Sequence, residues 1–152
     1  MSVEKRLNEL GLVIPETNKP VAAYVPGIKA GEFIYVSGQL PIKEGKVLYQ
    51  GKLGRDLSTE EGQAAAQLAA INCLAVIKSC IGDWENLLQI VKINGYIQSE
   101  NNFYDQALVL NGASNLLEKI FDEKGKHARA AVGVNSLPLN SACEVEMIAM
   151  VK

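Results

Sequence analysis

The 152-residue chain is poor in metal-binding side chains, with a single histidine, His127, and three cysteines. The cysteines form no Cys-x-x-Cys motif, so neither a multi-histidine metal centre nor a structural zinc site is expected. Cys73 and Cys80 stand seven residues apart in a predicted helix. This spacing separates their α-carbons by roughly 10 Å, which is too far for a disulfide. We therefore expect reduced thiols, a cytoplasmic location, no metal and no cofactor.

An excess of basic charge and a long apolar run are also missing. The chain has 15 Lys and Arg against 17 Asp and Glu, a net charge of −2, which argues against a surface that follows nucleic-acid phosphates. No stretch approaches about 18 uncharged apolar residues, the length that a membrane-spanning helix needs. Hydrophobic residues make up 48% of the chain and charged residues 21%, as is typical of a folded domain. We expect neither a nucleic-acid partner nor a membrane.

Periodicity and turn residues predict an α+β fold. A short helix is expected to end near Gly11, inside an N-terminal extension of residues 1–20, and one domain spans residues 21–152. Two long helices are predicted, one from a capping box at Ser58 to Ile81 and one from about Phe103 to Phe121. Residues 41–57 are expected to form an exposed loop with a short strand at 47–49. Five further strands are predicted over residues 21–28, 33–40, 88–97, 127–134 and 143–151.

The order of these elements gives a mixed, mostly antiparallel sheet of five to six strands with both long helices on one face. Several strands are apolar on both faces, as residues 143–151 show. The face without helices must therefore be buried against something, and copies of the same chain are the simplest partner.

The last strand places carboxylates on an otherwise apolar face. Side chains alternate along a strand, so Glu144 and Glu146 share one face with Ile148 and Met150. A buried carboxylate needs a partner, a polar cavity or water. Arg129, in the small-residue strand 127–134, is the obvious partner; the alternative is a solvated strand end with all three charges exposed.

Other polar residues give weaker signals. Gly38 follows Ser37 at the end of an apolar strand and would let a ligand approach main-chain amides, although a strand-end turn accounts for the same pattern. Tyr24 is interpreted as a core aromatic residue with its hydroxyl at the rim. His127 is a candidate general base, but no nucleophile or carboxylate accompanies it at a recognisable spacing. Neither a Ser-His-Asp motif nor a phosphate-binding glycine loop is present.

Several segments, in this order, resemble the RidA/YjgF family, also called L-PSP endoribonuclease-like, which has the chorismate mutase-like fold. The resemblance covers about residues 21–152. Its blocks are Ala23-Tyr24, Ile34-Tyr35-Val36-Ser37-Gly38-Gln39-Leu40-Pro41, Thr59-Glu60-Glu61, Ala128-Arg129-Ala130, Leu137-Pro138 and Glu144-Val145-Glu146. The first 20 residues, the 42–57 loop and residues 111–114 are similar to a less characterised branch of the family.

The resemblance implies a homotrimer with a barrel-like core, in which the sheets face inward and three sites lie between subunits. It implies that Arg129 holds the carboxylate of a 2-imino or 2-enamino acid. It also implies that Glu144 positions the water that attacks the imine carbon, releasing ammonium and a 2-oxo acid. Tyr24 and Ser37 match residues that line the family's cleft, and Gly38 matches a backbone contact.

Two positions depart from the family pattern. Ala131 stands where the deaminases commonly have a cysteine, so only a backbone role could survive there. The family's helix asparagine corresponds to Asn111 or to Asn115, and we prefer Asn111.

Three functions are compatible with the resemblance. The leading hypothesis is hydrolysis of reactive 2-imino or 2-enamino acids. RNA cleavage, which the endoribonuclease name implies, is opposed by the net charge of −2. The third is a chaperone-like or binding module that captures a small carboxylate through Arg129 without turnover.

Overall fold

A mixed sheet of five strands carries two long helices on one face in the computed structural model, which describes residues 1–17 and 23–152. In chain order the elements are α1 (Val3–Glu9), β1 (Gly27–Ala30), β2 (Phe33–Gln39), β3 (Ile42–Lys43), β4 (Lys46–Val47), α2 (Thr59–Ile81), β5 (Leu87–Gln98), α3 (Gln106–Phe121), β6 (Ala128–Val134) and β7 (Cys143–Val151). The sheet order is β1-β2-β7-β5-β6. Neighbouring strands are antiparallel except β5 and β6, which run parallel and are joined by α3. The predicted α+β fold is confirmed.

The best-predicted element is α2, whose two ends carry the expected signals. Ser58 Oγ accepts a hydrogen bond from Glu61 N at 3.2 Å, and Glu61 Oε2 accepts one from Ser58 N at 2.7 Å, which completes the capping box. Gly82 follows the last turn with φ +70°, a conformation that favours glycine.

The first strand lies further along the chain than predicted. It was expected over 21–28, but β1 begins at Gly27, because Pro26 has no N–H to donate to a strand ladder. Gly31, with φ +60°, then turns the chain directly into β2. Residues 21 and 22, and the boundary expected between the extension and the domain, lie outside the described residues.

The second long helix begins three residues later than predicted, at Gln106 instead of near Phe103. Phe103 N donates to Glu100 O at 3.1 Å and so belongs to a turn ahead of the helix. Its side chain packs against Gly54 and is half-buried, although the residue lies outside the helix.

The segment 41–57, expected to be an exposed loop with a strand at 47–49, forms the hairpin of β3 and β4 and then turns inward. Leu53 is fully buried. Its N–H donates to Gln98 O at 2.9 Å, and its carbonyl accepts from Glu100 N at 3.0 Å. The prediction is therefore wrong for this part of the segment, because its backbone continues the hydrogen bonding at the end of β5.

Small residues allow α2 to lie close to its neighbours. Eleven of its residues are buried, and by length and composition alone it could span a membrane, which the sequence expectation did not foresee. Half of that apolar window is buried inside the structure, the packing expected of a core helix.

On α3, Gly112 faces the Gln63 carbonyl of α2 so closely that a Cβ would overlap the oxygen.

We expect Gly112→Ala to lower the thermal unfolding temperature. Helix propensity alone would make this change stabilising by about 1 kcal/mol. Overpacking against a backbone carbonyl costs about 1–3 kcal/mol or more, and about 2–4 °C is lost per kcal/mol in a chain of this size. Asn115→Ala, at an exposed position of the same helix, is the matched control. A rise in unfolding temperature for Gly112→Ala would show that the helices are not in close contact here.

Candidate functional site

Arg129 lies on the edge strand β6 with its side chain on the helix-covered side of the sheet. It pairs with Ile93, which in turn pairs with the buried Met147 of β7. The guanidinium donates from Nη1 to Ser114 Oγ and from Nη2 to Ala107 O, each at 3.1 Å. In the part of the chain that the structure describes, no carboxylate lies within ion-pairing distance of it. The charge is thus held by neutral oxygens of α3.

His127 is engaged at both ring nitrogens. Nε2 lies 2.9 Å from Ser114 Oγ, and Nδ1 lies 2.6 Å from Gly125 O. Burial lowers the pKa of His127, the positive charge of Arg129 lowers it further, and the hydrogen bond to Gly125 opposes both effects. A ring with both nitrogens bonded inside the protein is not free to take a proton from substrate. This geometry counts against the interpretation of His127 as a general base.

Two further candidates lie on the same side of the molecule as Arg129. Asn111 is half-buried on α3, four residues after Ala107 and three before Ser114, so it shares the helix face that Arg129 contacts. Asn115 is exposed. Ala131 is two residues along β6 from Arg129 and therefore on the same face of the strand. This placement favours Asn111 over Asn115.

Glu144 lies on the opposite, uncovered face of the sheet. The predicted alternation of β7 is confirmed: its helix-facing residues are buried and its other residues are half-buried. The half-buried set consists of Glu144, Glu146, Ile148 and Met150. Burial raises the pKa of Glu144, and the neighbouring charge of Glu146 raises it further.

Gly38 makes room for the carboxyl group of Glu144. The pairing of β2 with β7 is irregular between Val36 and Gln39, and Gly38 lies in this bulge. A Cβ at Gly38 would overlap Glu144 Oε1. A bulged, side-chain-free backbone therefore lies directly beneath the carboxylate.

Glu146 is held by two residues of β5 that sequence reasoning missed. Its Oε1 accepts from Asn94 Nδ2 at 2.9 Å and from Tyr96 OH at 2.8 Å. The hydrogen bond to Glu146 is the main cause of a raised pKa at Tyr96, with burial next. The signal was present in the sequence, because Lys92, Asn94 and Tyr96 alternate with apolar residues and so share the uncovered face.

An open pocket of about 470 Å³ adjoins this carboxylate face. Tyr24 and Ser37 line it together with Lys92 and Glu146. Ser37 Oγ donates to Val25 O at 2.7 Å, which ties the segment of Tyr24 to β2. Tyr24 is 65% exposed, so its interpretation as a core aromatic is wrong: it precedes β1 and lies at the rim of the pocket.

The predicted site residues thus form two groups. The Arg129 group contains Arg129, Asn111 and Ala131 with Ser114 and His127; the Glu144 group contains Glu144, Gly38, Ser37 and Tyr24 with Glu146. The two groups lie on opposite faces of the sheet. Strand β5 lies between β6, which carries Arg129, and β7, which carries Glu144. The expectation that Arg129 partners Glu144 is therefore wrong within one chain.

Comparisons with known proteins find a family model and relatives that match nearly all of this chain. The family model described as "YjgF/chorismate_mutase-like, putative endoribonuclease" matches residues 4–151. The crystal structure of Atu1372 from Agrobacterium tumefaciens, of unknown function, has a TM-score of 0.92 and 43% identity over 99% of this chain and 94% of that one. A "putative endoribonuclease" from Shewanella oneidensis has a TM-score of 0.95 and 36% identity over 99% of this chain and all of that one. A 2-iminobutanoate/2-iminopropanoate deaminase from Dermatophagoides farinae is 26% identical over 138 residues, covering 91% of this chain and 93% of the relative.

We expect Glu144→Gln to stabilise the protein at neutral pH. Because the pKa of Glu144 is raised in the folded state, the folded protein favours the neutral acid, and the ionised form costs stability. This cost is present above the folded-state pKa and absent below the ordinary carboxyl value of about 4.3. Thermal unfolding across this pH range should show a gain that disappears in acid. Glu44→Gln, an exposed turn residue, is the control, and an equal gain at both pH extremes would contradict the assignment.

Proposed function

Because the chain belongs to the YjgF/chorismate mutase-like family, we propose that it hydrolyses 2-imino or 2-enamino acids at a site shared by two copies of the chain. The observation that carries the proposal is the guanidinium of Arg129, which within residues 1–17 and 23–152 is held at the sheet edge by neutral oxygens. The name of the relative from Dermatophagoides farinae supplies the substrate class.

The guanidinium is suited to binding a small carboxylate. Arginine has five N–H donors in one plane, and two of them are used by Ser114 and Ala107. The remaining donors match a carboxylate, which guanidinium groups bind through paired, charge-assisted hydrogen bonds. Asn111 of α3 and the backbone of Ala131, which is on the edge strand β6, are proposed to complete this half of the site.

A second copy supplies the other half in this proposal. The uncovered face carries exposed apolar side chains, Ile28, Tyr35 and Val132, beside the half-buried Ile148. Exposed apolar patches of this kind mark interaction surfaces. Three copies arranged with these faces inward would bury them in a barrel-like core and bring the β6 edge of one subunit to the Glu144 group of the next.

Glu144 is the proposed catalytic residue. Its carboxylate accepts a proton from water as the oxygen bonds to C2 and the C=N electron pair moves onto nitrogen. Glu144 returns this proton to the amino nitrogen of the carbinolamine. It then takes the C2 hydroxyl proton as the C=O bond forms and the C2–N bond breaks, and it passes that proton to the departing ammonia, so that the protonated imine and water yield a 2-oxo acid and ammonium. The raised pKa of Glu144 favours both steps, because a general acid–base group works best near the operating pH. Tyr24, Ser37 and Gly38 line the water's side of the cleft.

RNA cleavage, named for some relatives, is less well supported by the geometry. Glu144 and Glu146 stand together on the uncovered face and would repel the phosphates of a nucleic acid. Binding of a carboxylate without turnover remains the alternative that kinetics must separate.

The test is hydrolysis of 2-iminobutanoate that is generated in situ from threonine. The reaction is monitored by the formation of ammonium and 2-oxobutanoate. We expect wild-type protein to accelerate both over buffer. Arg129→Ala should raise KM at least about tenfold, the effect of losing a charge-assisted hydrogen bond. Arg129→Lys should recover only part of this loss, because an ammonium group lacks the planar fork. Glu144→Gln should lower kcat by roughly 10²–10⁴-fold, the contribution of a general acid–base group.

Lys119→Ala, an exposed basic residue of α3, is the control for lost positive charge and should behave as wild type. An Arg129→Ala protein with wild-type KM would refute the carboxylate site. Tight binding of 2-oxobutanoate without any turnover of the imine would establish the binding module instead.

A further inference from the structure

The hydrogen bonds from Arg129 to His127 have a single consistent direction. A guanidinium can only donate, so Ser114 Oγ, 3.1 Å from Nη1, must accept. The hydroxyl proton of Ser114 is then free to donate to His127 Nε2, 2.9 Å away, if that nitrogen carries no proton. Nδ1 lies 2.6 Å from the Gly125 carbonyl, which can only accept, so the single proton of a neutral ring belongs on Nδ1.

Both ends of this series of hydrogen bonds, from Arg129 through Ser114 to His127, are held by backbone carbonyl groups. A Cβ at Gly125 would overlap the Leu117 carbonyl oxygen, so the turn before β6 lies tightly against α3 and fixes the carbonyl that His127 contacts. At the other end, Arg129 Nη2 donates to Ala107 O, two turns of α3 before Ser114. The guanidinium is thereby held at two points of one helix face.

We propose that Ser114 and His127 are positioning residues that orient the Arg129 guanidinium for carboxylate binding. This role deepens the proposed function and rests on it. Neutral His127 accepts a hydrogen bond from the Ser114 hydroxyl and so turns a lone pair of the hydroxyl oxygen toward Arg129. Burial, which is the main cause, and the nearby positive charge lower the pKa of His127 against the opposing hydrogen bond to Gly125, and this favours the neutral ring.

The arrangement differs from the usual behaviour of serine in a helix. A helical serine ordinarily bonds the carbonyl one turn back or faces solvent. Ser114 instead bridges two side chains of β6 and its preceding turn, and among the residues that the structure describes no carboxylate neutralises Arg129. Neutral partners orient the guanidinium and leave its charge for a ligand.

The first experiment compares two pairs of variants by calorimetric titration with 2-oxobutanoate. Ser114→Ala removes the bridge and Ser114→Thr keeps a hydroxyl. His127→Leu removes the acceptor, and His127→Gln keeps one at a similar reach. We expect Ala and Leu to weaken binding about tenfold and to raise KM with little change in kcat, and Thr and Gln to recover most of the loss. Ser79→Ala, the same change on α2, should bind as wild type.

The second experiment uses the presence of only one histidine in the chain. The imidazole nitrogens observed by ¹⁵N NMR at neutral pH therefore belong to His127. We expect the Nδ1–H tautomer, which is the minor form of free histidine in water, and we expect Ser114→Ala to change the Nε2 signal. This measurement needs neither ligand nor turnover.

The outcomes separate the two proposals. If wild-type protein neither binds 2-oxobutanoate nor hydrolyses 2-iminobutanoate, or if Arg129→Ala matches wild type in both, the proposed function fails and the positioning role fails with it. If Arg129→Ala abolishes binding while Ser114→Ala and His127→Leu bind as wild type, only the positioning role is overturned. An Nε2–H tautomer at neutral pH would also overturn it.

Discussion

Side chains of a β-strand alternate between two faces, and this alternation separates the two charges on which the proposed function depends. Arg129 leaves β6 toward the helices, whereas Glu144 leaves β7 toward the uncovered face, and β5 lies between the two strands. A change of rotamer cannot carry a side chain through a sheet. A site that uses both residues must therefore be assembled from two copies, with the edge of one sheet against the uncovered face of another.

Different local contacts leave the charges of Arg129 and Glu144 available to a ligand. On the helix side, Arg129 is bonded to neutral oxygens, so its orientation is fixed while its charge is not cancelled. On the uncovered face, Gly38 leaves space for Glu144, whose raised pKa shows that the folded chain tolerates this carboxylate at a cost. Glu146 avoids the same cost by accepting two hydrogen bonds. Within the described part of the chain, the fold thus leaves Arg129 and Glu144 without an ion-pair partner, and a ligand could provide one.

Local signals in the sequence were sufficient for the layers of the fold but not for the site. The capping box at Ser58 and the alternation of β7 predicted elements that the structure confirms, because both depend on residues close in sequence. The start of β1, the burial of Leu53 and the direction of Arg129 depend on contacts between distant segments. Ser114 was missed for the same reason, because its role appears only when α3 packs against β6.

The composite site is tested most directly by mixing two impaired variants. Arg129→Ala and Glu144→Gln should each be much less active than wild type in imine hydrolysis when the substrate concentration is far below KM. Random co-assembly should restore roughly a quarter of wild-type sites, because each of the two subunits at a site carries its intact residue half the time. Assemblies containing both variants, verified by differently tagged chains, would contradict the account if their activity did not rise above that of the separate variants, because both residues would then have to come from one chain.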